Sequence, residues 1–218
     1  MKKGLILALA LLLLSTGAVV QAAEERVAGE IVKVDGSRLE IKSTDGKTVP
    51  AQLAEDVRLS ARSRASLTQL TAGSFVGTAA TPRADGTLVA REVHIYPESM
   101  RGRGEGHRPM TGEQGSTMTN ATIARVDERQ PAPRSTMTNA SVAQVATTPG
   151  GRSLTLTYKG GEEVVFVPDG TPVVMVAEGD RSQLVPGAHV IVSGSPQPDG
   201  TLKASRVTVG LDGLVPPT

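Results

Sequence analysis

The sequence predicts an all-β protein, built as two tandem small β-barrels joined by a flexible linker. Three observations support this fold class. The chain contains an internal duplication, Asp-Gly pairs separate short runs of alternating apolar residues, and only four of the 218 residues are aromatic. Alternation with a period of two is typical of strands that bury one face. Few aromatic side chains suit small cores of valine, alanine and leucine better than one large core.

The duplication relates two segments at a constant offset of 114 residues. In LTQLTAGSFVGTAATPRADGTLVAREVHI and RSQLVPGAHVIVSGSPQPDGTLKASRVTV, Gly73 matches Gly187 and Leu88 matches Leu202. Such self-similarity indicates a repeated structural unit. We therefore expect a signal peptide at 1–22, barrel repeats at 27–97 and 140–210, and between them a Gly/Arg/Met-containing linker at 98–139.

Each copy is predicted to form five short strands. In the first copy they fall at 27–34, 38–43, 47–53, 73–81 and 87–96. Asp-Gly pairs accept the positive φ of tight hairpin turns, and the last one makes the final two strands a closing hairpin. Leu67 and Leu70 predict one helical turn before that hairpin. The apolar phase changes within the last strand, which predicts a β-bulge near Ala90.

Five strands with a helical turn after the third follow the order of an OB-like barrel, with an SH3-like barrel or a small sandwich as alternatives. The pattern GEIVKVDGSRLEIKSTDGKTVPAQLAEDV, followed by GSFVG and PRADGTLVAREVHI, also resembles the bacterial modules called domain of unknown function 5666. Both copies show this resemblance. It implies exported OB-like barrels and supplies no catalytic residues. HIYPESMRGRGEGHRP and STMTNA resemble a subgroup sometimes labelled metal-transporter permease.

The N-terminus predicts export. Lys2 and Lys3 precede an apolar run at 5–14, and Val-Gln-Ala at 20–22 is a small-residue cleavage signal. These are the three parts of a cleavable secretory signal peptide, with cleavage after Ala22. We expect a soluble protein in the periplasm.

Composition excludes several classes of function. No second apolar stretch approaches the roughly 20 residues of a membrane-spanning helix, so we expect neither an integral membrane protein nor a permease. The chain has no cysteine, which removes disulfides and thiol chemistry. Without Lys2 and Lys3 it carries 21 basic and 22 acidic residues. Near-zero charge and few aromatics argue against nucleic-acid binding.

The sequence STMTNA occurs twice, at 116–121 and 135–140, and a short alternating run follows each copy. The second run, 142–145, stands at the right distance to be the first strand of the second barrel. The first run, 122–126, is then a surplus strand. We expect it to pair within the chain at a barrel edge; disorder and addition to the sheet of a partner are the alternatives.

The linker holds the candidate metal ligands. Thioether and imidazole groups select Cu(I) without any cysteine, so Met100, His107 and Met110 form a candidate copper site. Exposed methionines in a flexible segment are the simpler interpretation. A zinc site formed by His94, His107 and either Glu98 or Glu105 is less favoured, because the usual close-set ligands are missing.

No catalytic set stands out. The three histidines lie in different contexts, and the Gly-rich run before His107 opens no helix that could hold a phosphate. We therefore predict a non-enzymatic binding or interaction module, without a cofactor, that holds an unidentified protein or small ligand. Periplasmic copper binding is the alternative function.

Overall fold

The computed structural model describes residues 24–110, 115–128 and 150–217. Within these ranges the chain forms twelve strands: β1 (Glu25–Asp35), β2 (Arg38–Ser43), β3 (Thr48–Ala65), β4 (Phe75–Pro82), β5 (Leu88–Ile95), β6 (Gly106–Pro109), β7 (Thr117–Asp127), β8 (Gly151–Tyr158), β9 (Gly161–Pro168), β10 (Val173–Glu178), β11 (His189–Pro196) and β12 (Leu202–Gly210). Three 3₁₀ turns lie at Leu67–Gln69, Glu98–Met100 and Arg181–Gln183. The all-β prediction is confirmed, as is the helical turn near Leu67.

The predicted signal peptide lies outside the described residues. In the described part of the chain, no helix combines the length and the apolar character needed to cross a membrane.

Ten of the described strands form two closed five-stranded barrels. Barrel A runs β1-β2-β3-β12-β11, and β11 pairs back onto β1. Barrel B runs β7-β8-β9-β5-β4, and β4 pairs back onto β7. Each barrel contains one parallel pair, β3 with β12 and β5 with β9. β10 joins the barrels, because it pairs with β3 on one side and β5 on the other.

The two copies of the repeat exchange their closing hairpins. We expected the hairpin at 73–96 to close the barrel of its own copy. Instead β4 and β5 close barrel B, while β11 and β12 close barrel A. The exchange is reciprocal: Leu202 lies opposite Ala51, and Leu88 lies opposite Val165. Leu88 and Leu202 are 114 residues apart in the sequence, and so are Ala51 and Val165, which means that the two contacts join equivalent positions.

The length of β3 gives a physical reason for the exchange. The predicted strand ends at residue 53, but β3 runs without a turn to Ala65. Its second half pairs with β12 and β10, which carries the chain out of barrel A before β4 begins. The two hairpins carry matching apolar residues in matching registers, so either can fill the closing position.

The strand after the first STMTNA copy is the first strand of barrel B. β7 pairs with β4 on one side and with β8 on the other. The register shift that follows Ile31 in β1 recurs after Ile123 in β7, so the two strands correspond. This corrects the assignment of that role to 142–145, which lie outside the described residues. Pairing of 122–126 within the chain is confirmed: the run pairs with β8 and its first residue also with β4, so it lies inside a closed barrel and not at an edge.

Local turn predictions hold in both copies. The register of β5 shifts between Glu92 and Ala90, which confirms the predicted bulge, and β12 shifts at the corresponding place. Gly86, in the turn between β4 and β5, has a φ of 80°, which a side chain at Cβ would strain.

Each barrel has its own apolar core. In barrel A the core is formed mainly by residues of β1, β2, β3, β11 and β12, among them Ile31, Ile41 and Val192. In barrel B it is formed mainly by residues of β4, β5, β7, β8 and β9, among them Val76, Ile123 and Leu156. Each core therefore combines side chains from both copies of the repeat.

Residues 98–110 form a strap on the surface of barrel B, which corrects the prediction of a flexible linker for this part of the chain. Within the strap, β6 pairs with β7. Arg101 anchors it: the guanidinium pairs with Glu98 and donates to the carbonyl oxygen of Gly73 at 2.8 Å and to Oγ1 of Thr122 at 3.0 Å. The same group lies 5.9 Å from the ring centre of Phe75.

Candidate ligand-binding groove

The outer face of barrel A carries an open groove of about 740 Å³. β2 and β3 form its floor, and the turn between β11 and β12 forms its wall. OB-type barrels bind ligands on the face of their second and third strands and on the loop between their fourth and fifth strands. In barrel A the second and third strands are β2 and β3, and the fourth and fifth are β11 and β12. The groove is lined by Arg38, Leu39, Glu40, Pro50, Ala51, Gln52, Gln197, Pro198, Asp199, Thr201 and Lys203.

Strand alternation places the polar side chains of the groove outward. Leu39 and Ala51 are buried in the core of barrel A. Their neighbours Arg38, Glu40 and Gln52 therefore point to the opposite face of the sheet. The same alternation that fills the core thus supplies the groove with charged and amide groups.

One row of side chains crosses the groove floor over three strands. Arg38 lies opposite Gln52, and Gln52 lies opposite Lys203. Gln52 holds its neighbour in place, because its Oε1 accepts a hydrogen bond from Nε of Arg38 at 3.2 Å. Its Nε2 in turn donates to Oγ of Ser37 at 2.6 Å. The terminal nitrogens of Arg38 remain available to a ligand.

Both carboxylates of the groove are already engaged. Glu40 pairs with Lys33 at 3.4 Å. Oδ1 of Asp199 accepts a hydrogen bond from the backbone N–H of Thr201 at 2.9 Å. The amide and hydroxyl of Thr201 hold the pKa of Asp199 below its usual value, with a smaller contribution from Arg38. Asp199 therefore stays ionised at the wall of the groove, close to Arg38.

The equivalent row of barrel B is largely buried, whereas the row of barrel A is open and polar. Phe166, the counterpart of Gln52 at the offset of 114, lies opposite Ser153 and Val89. Phe166 is fully buried, and the guanidinium of Arg83 lies 5.9 Å from its ring centre. Ser153 is also buried. The two barrels thus share a strand order but differ at the position where OB-type barrels bind ligands.

A second polar group is buried between the barrels; His94 was considered only as a zinc ligand, and its grouping with Glu92, Tyr96 and Arg62 was not predicted. Nε2 of His94 lies 3.2 Å from Oε1 of Glu92, an ion-pair distance without the alignment of a hydrogen bond. Tyr96 meets the edge of the His94 ring, and Arg62 on β3 donates to the carbonyl oxygen of Pro217 at 2.7 Å. Because Glu92 and His94 are less than a tenth exposed, we assign this group a structural role between β3, β5 and the C-terminal segment.

Burial and charge shift the titration of this buried group. Burial would raise the pKa of Glu92, but the His94 ring and the charge of Arg62 hold it below its usual value. Burial raises the pKa of Tyr96. Glu92 therefore remains a carboxylate beside His94 and Arg62 at neutral pH.

The three candidate copper ligands lie on the strap with separate contacts. Nδ1 of His107 lies 2.9 Å from Oγ1 of Thr119, and the imidazole stacks on the ring of Tyr158. The thioether of Met110 lies 3.9 Å from a guanidinium nitrogen of Arg91. Met100 lies in the 3₁₀ turn at the start of the strap. Among the described residues, no three histidine or carboxylate side chains group as metal ligands, and the copper site stays a prediction.

A comparison of the two copies could have found the groove from sequence. At the offset of 114, Gln52 is replaced by Phe166 and Lys203 by Val89. Both changes exchange a polar for an apolar side chain within otherwise matching strands. The pairing of β3 with β12 that brings Gln52 and Lys203 together was not predictable, because the repeat was expected to close on itself.

The comparison with protein families identifies residues 151–208 as a match to the family Domain of unknown function (DUF5666). The match confirms the resemblance for the second copy. It begins on β8 in barrel B and ends on β12 in barrel A, so the matched segment contributes to both barrels. No curated protein and no solved structure matches the chain.

Proposed function

We propose that this chain is an exported, non-catalytic binding protein whose ligand lies in the groove of barrel A. The row formed by Arg38, Gln52 and Lys203 carries the proposal. The row lies at the ligand-binding face of an OB-type barrel. Arg38 donates a hydrogen bond to Gln52, and Gln52 is itself held by a hydrogen bond to Ser37. No reaction is assigned to the groove.

The difference between the copies supports a role in binding. Gln52 bonds both Arg38 and Ser37 and so fixes the guanidinium of Arg38 in the groove. The equivalent position in barrel B is closed by an aromatic ring under a guanidinium. Barrel A thus keeps an open, polar face at this row while barrel B buries the equivalent Phe166 and Ser153, as expected for a binding barrel beside a supporting barrel.

The experiment converts the groove of barrel A into the face of barrel B. The double variant Gln52→Phe with Lys203→Val introduces the residues of barrel B at both positions. Fluorescent seven-residue peptides that are acidic, neutral or basic serve as probes, and binding is measured by fluorescence anisotropy. At least one peptide class is expected to bind the wild type and to lose binding in the double variant. Equal binding of every class by both proteins contradicts the proposal.

Export is tested separately. The proposed signal peptide, 1–22, predicts that the protein recovered from a periplasmic extract begins at Ala23. Mass spectrometry of the intact protein measures this. A full-length chain that starts at Met1 and stays in the cytoplasmic fraction contradicts export.

A further inference from the structure

We propose that the ligand of the barrel A groove is an extended peptide segment that carries carboxylate side chains. This inference rests on the proposed function, since it names the ligand class of the same groove. It follows from the charges that remain free in the groove, from their spacing, and from the absence of aromatic side chains among the residues that line it.

The guanidinium of Arg38 is presented for a carboxylate. Its Nε is occupied by Gln52, which fixes the plane of the group. The two terminal nitrogens can then donate to the two oxygens of one carboxylate, the bidentate geometry that makes arginine–carboxylate pairs strong and specific.

Lys203 supplies a second cation. It is exposed, and its ammonium group makes no hydrogen bond or ion pair with any residue in the described ranges. Glu40 pairs with Lys33, and Oδ1 of Asp199 accepts from the backbone of its own turn. Arg38 lies close enough to lower the pKa of Asp199, but in the described part of the chain neither carboxylate makes a hydrogen bond or an ion pair with Arg38 or Lys203.

The distance between these cations suits an extended chain. Arg38 and Lys203 lie on strands that flank β3, so their backbones are about 10 Å apart, twice the spacing of neighbouring strands. Alternate side chains of an extended peptide are about 7 Å apart. Two acidic side chains at alternate positions, each a few ångströms long, can reach both cations.

The lining of the groove disfavours sugars and nucleic-acid bases. Both classes are commonly held by stacking on aromatic rings, and none of the eleven lining residues is aromatic. Pro50 and Pro198 instead offer apolar walls, and Oε1 of Gln197 offers an acceptor for a backbone N–H. These features fit a peptide backbone with acidic side chains.

The test compares three peptides of equal length with the full mature chain. They carry glutamate, glutamine or lysine at the third and fifth positions, and serine and glycine elsewhere. The glutamate peptide is expected to bind at least about tenfold more tightly than the glutamine peptide, because charge-assisted hydrogen bonds are lost with glutamine. Its binding is expected to weaken as salt is added.

Matched variants locate the binding. Arg38→Gln and Lys203→Gln are each expected to weaken binding of the glutamate peptide, by about tenfold for Arg38→Gln. Arg103→Gln on the strap and Lys159→Gln on the β8-β9 turn remove the same charges elsewhere and are expected to leave it unchanged. Arg38→Lys keeps the charge but loses the bidentate geometry, so an intermediate affinity is expected.

The outcomes separate this inference from the proposed function. A neutral or basic peptide that binds best, and that loses binding in the Gln52→Phe with Lys203→Val variant, overturns the ligand class and leaves the groove as the binding site. Binding of the glutamate peptide that falls equally in Arg103→Gln and Arg38→Gln overturns the inference, since it reports overall charge alone. No binding of any peptide overturns both.

Discussion

Gln52 and Phe166 occupy equivalent positions in the two barrels, yet Gln52 bonds Arg38 on an open face while Phe166 is buried beneath Arg83. The backbone pairing around them is the same. In each barrel the residue lies between the second strand and the last strand. The duplication has therefore kept the framework and changed the chemistry of one face.

This difference predicts unequal costs of substitution. Phe166→Gln should lower the free energy of unfolding by about 3 kcal/mol or more, because it removes a fully buried ring and buries an amide. The reverse change, Gln52→Phe, lies on a partly exposed face and should cost about 1 kcal/mol or less. Urea denaturation measures both. Equal costs would contradict the assignment of one open and one closed face.

The hairpin exchange predicts which cysteine pair forms a disulfide. Arg26 lies opposite Ser193 across β1 and β11. The variant Arg26→Cys with Ser193→Cys should oxidise to a monomer with a disulfide, since opposed strand residues meet its distance requirement. In a repeat closed on itself, Ala79 would face Arg26 instead, so Arg26→Cys with Ala79→Cys is the matched control and should stay reduced. The wild type has no cysteine, so no other disulfide can form within one chain, and non-reducing electrophoresis separates the monomer from dimers linked between chains.

We expect the protein to lose stability in acid, because Glu92 becomes protonated there. Its folded-state pKa is below its usual value, so its contribution is complete above the unfolded-state pKa and is lost as the pH falls through the folded-state pKa. The free energy of unfolding of the wild type should fall below about pH 5. Glu92→Gln should cost about 1–3 kcal/mol at pH 7 and should flatten this dependence. A variant with the unchanged pH profile would show that Glu92 does not contribute.

We expect the strap, residues 98–110, to depend on Arg101 for its rigidity. Arg101→Ala removes hydrogen bonds to Gly73 and Thr122 and the contact with Phe75. Amide hydrogen exchange at residues 106–108 of β6 should become faster while the core of barrel A keeps its rate. Arg103→Ala, an exposed neighbour, serves as the control. Equal exchange in all three proteins would mean that β6 is held by its pairing with β7 alone.

Copper binding at the strap makes a different prediction. A site formed by Met100, His107 and Met110 requires stoichiometric Cu(I) binding that is lost when all three become alanine. The guanidinium of Arg91 beside the Met110 thioether opposes a cation there, so Arg91→Gln should tighten such a site. Titration of Cu(I) against a competing chelator measures both effects. Binding unchanged in the triple variant would exclude these ligands.

The local structure was largely predictable from the residues. Asp-Gly turns, the helical turn at Leu67 and the bulge near Ala90 follow from φ preferences and side-chain alternation, which act within a few residues. Ordering of the strap was not predictable in this way. Its Gly-rich sequence indicates flexibility, and it is held by contacts of Arg101 with residues more than twenty positions away.

By itself, the sequence determined an all-β chain, its duplication and the apolar face of its strands, because alternation and turn residues encode these features locally. Only the tertiary structure decided which hairpin closes which barrel. The duplicated hairpins offer nearly equivalent apolar faces, so local pattern cannot distinguish the two pairings. The unbroken run of β3 and its pairing with β10 select one of them. That choice places Lys203 beside Gln52 and so creates the groove.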